Sequence, residues 1–380
     1  MSLRIAGLGL AVPEHAVSQS EAADVMVTFL RGDGRARAIR ALHAHSGIRK
    51  RHSVLLQAAD GAPERRQSFY APARDDGDLG PATAERMRAF ENAAPPLLER
   101  AAGAALADAG LGSEEITHLV TVSCTGFFAP GLDAALIDRL GLPRTVQRTH
   151  VGFMGCHGAL NGLRVAASLV AEDPEARVLL GSVELCTLHL AYGWDPEAMV
   201  ANALFSDGAA AAVGVRGGRG KNERVGNSVR GTGGATPRGP RWEVAASGTL
   251  LIPDSQDAMS WRIGDHGFRM TLSACVPALV QAHVGDWLRV WLGEQGVAME
   301  DVRSWAVHPG GPRVLSAFGR SAGLGPESFA ASRDILAEYG NMSSATLLFI
   351  LHRLREAGSQ TPLVALAFGP GLTVEVALLR

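Results

Sequence analysis

The 380-residue chain is 47% hydrophobic and 19% charged, enough apolar content to bury a large interior and to exclude a disordered chain. Its formal net charge of −2 gives no electrostatic footprint for nucleic acid or for an anionic membrane as a partner. At about 150 residues per domain, the length allows two to three domains or one large fused core. Four cysteines (Cys124, Cys156, Cys186 and Cys275) are too few for a disulfide framework, and none has the Cys-x-x-Cys spacing of a structural zinc site. The opening MSLRIAGLGLAVPEH lacks the long apolar core and cleavage site of a signal peptide and reads as a first strand. The longest uncharged stretch, 357–374, is broken by Gly358, Pro362, Gly369, Pro370 and Gly371, so it does not span a bilayer as a helix. A soluble, cytoplasmic protein is expected.

In chain order the periodicity predicts a strand over 5–12, a helix over 93–109, a strand over 118–123, a helix over 159–170, and strands over 177–183 and 209–215. A Gly- and Arg-rich stretch with almost no apolar pattern then fills 216–242. It reads as a loop or linker, with a phosphate- or nucleic-acid-binding arm as the alternative. Beyond it come a helix over 272–295, a strand over 304–307, a helix over 343–356, and strands over 363–368 and 372–379. The alternation defines the class as α/β.

An internal repeat organises these elements. A slide of 186 residues places Gly110 on Gly296, Glu114 on Glu300, Glu115 on Asp301 and Ile116 on Val302. A slide of 185 places Cys156 on Asn341, Leu163 on Leu348, and the strand at 177–180 on 362–365. The chain therefore reads as two copies of one αβ unit, about 1–215 and 243–380, joined by 216–242. In each copy a Gly-containing loop enters a helix near Cys156 or Asn341. Packing about a pseudo-twofold would bring those helix N-termini, which favour thiolates and oxyanions, to one place.

Cys156 lies in VGFMGCHGALNGL, crowded by Gly152, Gly155, Gly158 and Gly162, as expected of a nucleophile on a tight turn before a buried helix. Cys124, Cys186 and Cys275 sit in apolar runs and read as core or pocket lining. His308 ends a buried strand and precedes Pro309, Gly310, Gly311 and Pro312, a loop expected to expose its imidazole at the strand's C-terminal edge. Asn341, in EYGNMSSAT, stands at a helix start, where a cap or turn role is the simpler alternative. A Cys, a His and an Asn in this order suit either a papain-like protease or a condensing acyltransferase. The duplicated αβ unit and the missing protease signature around the cysteine exclude the first.

The segments GCHGA (155–159), ALFSDGAAA (203–211), VHPGGP (307–312), GNMSSAT (340–346) and FGPGLTVE (368–375) resemble the type III polyketide synthases. These are the chalcone synthase-like members of the thiolase superfamily, and the likeness covers nearly the whole chain. VELCTLHL (183–190) and TAERMRAFENAAPPLLERAA (83–102) are more similar to bacterial members. The resemblance implies a thiolase-like fold, with αβαβα halves related by a pseudo-twofold. It makes Cys156 the acylated nucleophile, His308 and Asn341 the binders of the malonyl thioester carbonyl, and Phe205 a gatekeeper at the cavity neck. Gly369, Pro370 and Gly371 would shape the cavity wall, and Cys186 would line it. Met270 stands where plant members carry a second gatekeeper phenylalanine, with Phe268 two residues earlier.

The chemistry implied is transfer of an acyl group from coenzyme A to a Cys156 thiolate paired with a His308 imidazolium. Decarboxylation of malonyl-CoA and Claisen condensation follow, with no bound cofactor, metal or flavin. An aliphatic starter giving an alkylpyrone or alkylresorcinol is the reading. A malonyl-only tetrahydroxynaphthalene-type synthase, an aromatic-starter enzyme and a β-ketoacyl carrier-protein synthase stay open. Arg35, Arg37 and Arg40 occupy the neighbourhood expected for coenzyme A phosphates, with a solvated helix face as the alternative. An acyl carrier protein is the other donor, and a homodimer is implied.

Overall fold

The computed structural model describes residues 2–30, 33–62, 65–218 and 241–380. Most of the Gly- and Arg-rich stretch at 216–242 therefore lies outside the described residues. The first half runs β1 (Leu3–Ala11), β2 (Ala16–Ser18), α1 (Gln19–Phe29), α2 (Ala36–Ala44), β3 (Lys50–His52), α3 (Thr83–Ala109) and β4 (His118–Ser123). It continues with α4 (Leu132–Leu140), β5 (Gln147–Gly152), α5 (Gly158–Glu172), β6 (Arg177–Leu185), α6 (Pro196–Leu204) and β7 (Asp207–Arg216). The second half runs β8 (Glu243–Leu251), β9 (Met259–Gly264), β10 (Gly267–Leu272), α7 (Val276–Glu294), β11 (Ser304–Val307) and α8 (Pro312–Ala322). It ends with α9 (Ala330–Tyr339), α10 (Ala345–Glu356), β12 (Leu363–Gly369) and β13 (Thr373–Leu379).

Nine strands form one sheet in the order β11-β12-β13-β8-β1-β7-β6-β4-β5. Outward from the β1–β8 contact the two sides match. The strands β1, β7 and β6 are antiparallel neighbours with β4 parallel to β6, and β8, β13 and β12 are antiparallel neighbours with β11 parallel to β12. The first half adds one edge strand, β5, parallel to β4. The repeated turn is also visible in detail: Gly110 after α3 and Gly296 after α7 both adopt the left-handed region, at φ 68° and 70°. Each is followed by a short 3-10 turn, Ser113–Glu115 or Met299–Asp301, and then by β4 or β11.

The helices α5 and α10 form a shared central layer, each touching strands of both halves. Their apolar residues, such as Leu160, Leu163, Leu347 and Leu351, share one core with β1, β6 and β12. The helix α3 covers the outer face of the first half, and α7 with α8 covers that of the second. Burial of this kind, about 25 cal/mol per Å² of apolar surface, is what holds the layers together. No described helix is long and apolar enough to cross a membrane.

Three departures from the expected elements have clear causes. The helix expected from 93 begins at Thr83, because Pro95 and Pro96, which read as a helix start, sit inside a 27-residue helix. Its N-terminus is held instead by the Glu85 carboxylate, which accepts the Ala82 N–H at 2.9 Å. The edge strand β5, QRTHVG, is mostly exposed and carries no apolar alternation. The hairpin β9–β10 mixes apolar and charged residues over two short strands and forms its own two-stranded sheet.

The central strand β1 lies so close to α3 that a Cβ on Gly9 would stand 2.2 Å from the Ala101 carbonyl oxygen. Gly9→Ala is expected to lower stability by about 1–3 kcal/mol through overpacking. Gly103→Ala, in open space on α3, is expected to raise it by about 0.5–1 kcal/mol. Urea unfolding midpoints check both signs.

Candidate active site

The turn bearing Cys156 is built from strained backbone. After β5, Phe153 takes a left-handed φ of 61°, and Gly155 follows at φ 68°. The 3-10 turn Gly155–His157 then enters α5. A Cβ on Gly155 would stand 2.4 Å from Pro370 Cδ, and one on Gly369 would stand 2.2 Å from His157 Cδ2. The GCHGA segment therefore rests directly on the end of β12, and only glycines allow that approach.

Asn341 follows α9 and forms an isolated bridge with Phe205. Its N–H donates to the Leu204 carbonyl, and its own carbonyl accepts the Ser206 N–H, both at 2.9 Å. Asn341 Oδ1 accepts the Ser343 N–H at 2.8 Å, where Ser343 sits at a left-handed φ of 46°. Asn341 is thus not the cap of α10, whose N-cap is Ser344. Ser343 and Asn341 lie near enough to the Cys156 thiol to favour its ionised form, and Ser343 Oγ also meets Cys124 Sγ at 3.2 Å.

His308 continues β11, its N–H donating to the Leu366 carbonyl at 2.8 Å. The imidazole is fully buried, with neither Nδ1 nor Nε2 partnered, rather than exposed at the strand edge as its sequence context suggested. The strand's continued pairing with β12 keeps the residue inside the fold instead of releasing it into the following loop. His308 lies within electrostatic range of His157, the residue after Cys156.

Burial dominates the electrostatics. It pushes the Cys156 thiol up to about 12; a nearby Glu184 carboxylate adds to this, while the Ser343 and Asn341 hydrogen bonds oppose it. It also drives His308 down to about 3, with the neighbouring His157 adding to the effect. Burial thus weighs toward the neutral forms of both groups, against the thiolate–imidazolium pair that the resemblance implied.

Cys156 opens into a cavity of about 680 Å³. Phe205, Phe268, Met270, Cys186 and Pro370 line it, as does Cys124, so three of the four cysteines share one chamber. Gly369 and Gly371 shape the adjoining loop, Gly371 at φ 74°. Phe268 stacks on His189 with ring centroids 4.2 Å apart, and Trp261 anchors its indole N–H on the Cys124 carbonyl at 2.7 Å. Arg35, Arg37 and Arg40 are exposed and are not brought to the cavity lining. Arg40 pairs with Asp24 at 2.9 Å, and the Arg35 guanidinium stands 4.8 Å over the Trp194 ring.

The sequence reading passed over Glu184. This fully buried carboxyl accepts from Thr125 Oγ1 at 2.7 Å, from the Cys124 N–H at 3.0 Å, and from Ser344 Oγ. Burial raises its pKa, and these hydrogen bonds hold it down. It ties the end of β4 to the loop that carries Asn341. Its signal was present: Glu184 is the only acidic residue in the buried strand RVLLGSVEL.

A doubled αβ architecture with a buried cysteine at the floor of an apolar chamber defines a thiolase-like condensing acyltransferase. The chain belongs to the chalcone and stilbene synthase family, the type III polyketide synthases, whose substrates are coenzyme A thioesters. Residues 2–217 match the family's N-terminal domain and residues 243–380 its C-terminal domain. The chain is 36% identical to the 1,3,6,8-tetrahydroxynaphthalene synthase of Streptomyces peucetius subsp. caesius over 99% of this chain and 92% of that protein. It is 32% identical to the alpha-pyrone synthesis polyketide synthase-like Pks18 of Mycobacterium tuberculosis, over 98% and 89% of the two chains. Among solved structures, PKS-I from the brown alga Ectocarpus siliculosus superposes with a TM-score of 0.87 at 31% identity, covering 100% of this chain and 98% of that one.

The neutral resting site has a direct readout. With its pKa raised far above the ordinary thiol value, Cys156 in the free enzyme is expected to alkylate slowly at pH 7. Its rate should climb steadily beyond pH 9, with no acidic inflection between pH 5 and 8. A pH series of iodoacetamide labelling, read at the Cys156 peptide, checks this; a plateau by pH 7 would contradict it.

Proposed function

We propose that Cys156 carries the growing acyl chain and that His308 and Asn341 together bind the thioester carbonyl of malonyl-CoA. The observation that carries this reading is His308: a buried imidazole with both nitrogens unpartnered, in electrostatic range of the residue after Cys156. Leaving such groups unsatisfied costs about 1–3 kcal/mol each, so a ligand that supplies the missing partner fits the site. Asn341 complements it, because its Oδ1 is engaged by the Ser343 N–H, which leaves its Nδ2 as the group free to donate to a ligand beside Cys156.

The steps follow from these donors. The Cys156 sulfur attacks the acyl-CoA carbonyl, a new S–C bond forms, and coenzyme A leaves with the thiol proton relayed through His308. Malonyl-CoA then loses carbon dioxide. The electron pair stays in an enolate, whose oxygen accepts hydrogen bonds from the His308 N–H and Asn341 Nδ2. The enolate carbon attacks the Cys156 thioester, the S–C bond breaks, and the chain leaves on coenzyme A two carbons longer. Burial favours the neutral imidazole, and a neutral ring still offers one N–H for this role.

An aliphatic starter and an alkylpyrone or alkylresorcinol product are supported by the apolar side of the cavity, where Val25, Met26, Phe29, Leu55 and Leu190 add to Phe205 and Met270. A malonyl-only route is the second reading, supported by the 36% identity to the tetrahydroxynaphthalene synthase. We further infer two halves, 1–215 and 243–380, joined by 216–242, in support of which the strand order repeats about β1 and β8. A homodimer is supported by the exposed edge strand β5, flanked by exposed Phe127 and Met154. A cytoplasmic setting fits four cysteines that are all free thiols.

Incubation with an acyl-CoA is expected to add the acyl mass to Cys156, and Cys156→Ala is expected to abolish that increase. Labelling at Cys124 or Cys186 instead removes the assignment. His308→Gln is expected to slow malonyl-CoA decarboxylation by about 100-fold or more, and an unaffected rate refutes its role. A panel of acyl-CoA starters with malonyl-CoA, products read by mass spectrometry, is expected to favour aliphatic over aromatic starters. Product formed at full rate from malonyl-CoA alone selects the second reading.

A further inference from the structure

The first turn of α3 sets two side chains against the outer wall of the chamber. Thr83 and Arg86, three residues apart, both reach the β9–β10 hairpin. Thr83 grips its backbone. The Thr83 Oγ1 accepts the Gly267 N–H at 2.8 Å and donates to the Gly264 carbonyl, and the Thr83 N–H donates to the Asp265 carbonyl at 2.8 Å. Arg86 is fully buried and lies directly behind Gly267. At that glycine φ is 98°, and a Cβ would stand 2.8 Å from the Arg86 Nη1 and push the guanidinium away.

From there the guanidinium crosses to the opposite wall. Its Nη1 donates to the Leu188 and Leu190 carbonyls at 2.7 and 3.0 Å and to the Tyr70 hydroxyl at 3.1 Å. Its Nε donates to the Pro81 carbonyl at 2.9 Å. Tyr70 in turn donates to the Thr187 carbonyl at 3.0 Å, and the guanidinium carbon stands 5.5 Å over the Tyr70 ring. On the chamber side of the same seam the Phe268 N–H donates to His189 Nδ1 at 2.9 Å, beneath the stacked rings of the two residues. Tyr70, Thr187, His189, Leu190 and Phe268 all line the chamber, whereas Arg86 stands one layer behind them.

As a way of filling space this arrangement is unfavourable. The partners of Arg86 are carbonyl and hydroxyl oxygens, none of them a carboxylate, and its Nη2 has no partner among the described residues. A buried cation without a counter-charge, with donors left unmet, destabilises the fold that holds it. A methionine would fill a similar volume without that cost. It would not gather oxygens from three separate segments into one fan, as a planar guanidinium does. The hairpin is its own two-stranded sheet, so side chains, not strand pairing, set its distance from the 186–190 turn.

We propose that Arg86 is a specificity-determining positioning residue, which fixes the gap between the hairpin and the 186–190 turn and with it the acyl starter that the chamber accepts. The inference rests on the reading that the starter acyl group occupies this chamber on its way to Cys156. Arg86 touches no substrate and acts through Phe268, His189 and Tyr70. Without it the two walls are free to part, and the chamber admits broader groups. The Cys156 turn is seated elsewhere, on the end of β12, and keeps its own supports.

The test uses two variants of the full chain. Arg86→Met keeps the side-chain length and removes every donor, while Arg86→Lys keeps an ammonium able to serve the Leu188, Leu190 and Tyr70 oxygens. The measured quantity is the ratio of kcat/KM for hexanoyl-CoA to that for benzoyl-CoA, with malonyl-CoA as extender. In Arg86→Met the ratio is expected to fall roughly 10-fold, mainly through the starter KM, with starter-free malonyl-CoA decarboxylation within about twofold of wild type. Arg86→Lys should restore most of the ratio. Tyr70→Phe removes one link and leaves the buried charge in place, so it keeps the question open to test if Arg86→Met does not fold; there the ratio should fall about threefold. A role in stability alone would lower both starters and decarboxylation together at a constant ratio, and that outcome overturns the inference. So does a ratio unaltered in Tyr70→Phe and in whichever Arg86 variants fold. Wild-type protein that takes neither acyl group onto Cys156, read as the acyl mass before any variant is made, would instead remove the proposed function itself.

Discussion

The site depends on one contact, the seating of the Gly155–Cys156–His157 turn on the Gly369–Pro370 end of β12. The turn belongs to the first copy of the αβ unit and the strand to the second, and neither side has room for another carbon. Everything else at the centre follows from it. The strand that receives the turn also pairs with the strand that ends at His308, so fixing Cys156 on β12 places it in the neighbourhood of the imidazole. The shared layer of α5 and α10 then sets Asn341 on the opposite side, because its loop leads into α10 as the Cys156 turn leads into α5. A single site between two copies is the geometric result of duplication about the β1–β8 contact.

Burial is the second consequence. A turn packed this tightly excludes water from Cys156, His308 and Glu184, and low local polarity favours the neutral form of each. Burial therefore weighs against the thiolate form of Cys156, in a chamber that it shares with two other thiols. The buried Glu184 does not face the reaction alone. Its hydrogen bonds from Ser123, the Cys124 N–H, Thr125 and Ser344 make it a tie between β4, β6 and the Asn341 loop.

The parts of the molecule that were legible in the sequence are those encoded by backbone chemistry. Glycines at 110 and 296 end two equivalent helices in the left-handed region, and this repeated punctuation is what made the duplication readable. The glycines around Cys156 mark close approaches, Gly155 to Pro370 and Gly158 to Val122, so this turn was visible for a structural reason. The burial of His308 was not, because a Pro-Gly loop marks the end of a strand without saying whether the last side chain turns inward. Pro95 and Pro96 hid the first turns of α3, since proline carries the same local signal at a helix start as at a bend. The cavity wall was the least legible part. Trp261 and Cys124 meet across 137 residues of chain through one hydrogen bond, and no local pattern encodes that meeting.

The same distinction separates two groups of arginines. Arg35, Arg37 and Arg40 stand out in the sequence because they are close together, yet closeness along the chain does not bring them to the cavity: all three are exposed, with Arg40 paired to Asp24 and Arg35 over the Trp194 ring. Arg262 and Arg269 are seven residues apart, with a turn between them, and become neighbours only through the antiparallel register of β9 and β10. An unneutralised pair of like charges costs stability wherever the register is strictly held, and this register is held by anchors at the tip and along the flank of the hairpin.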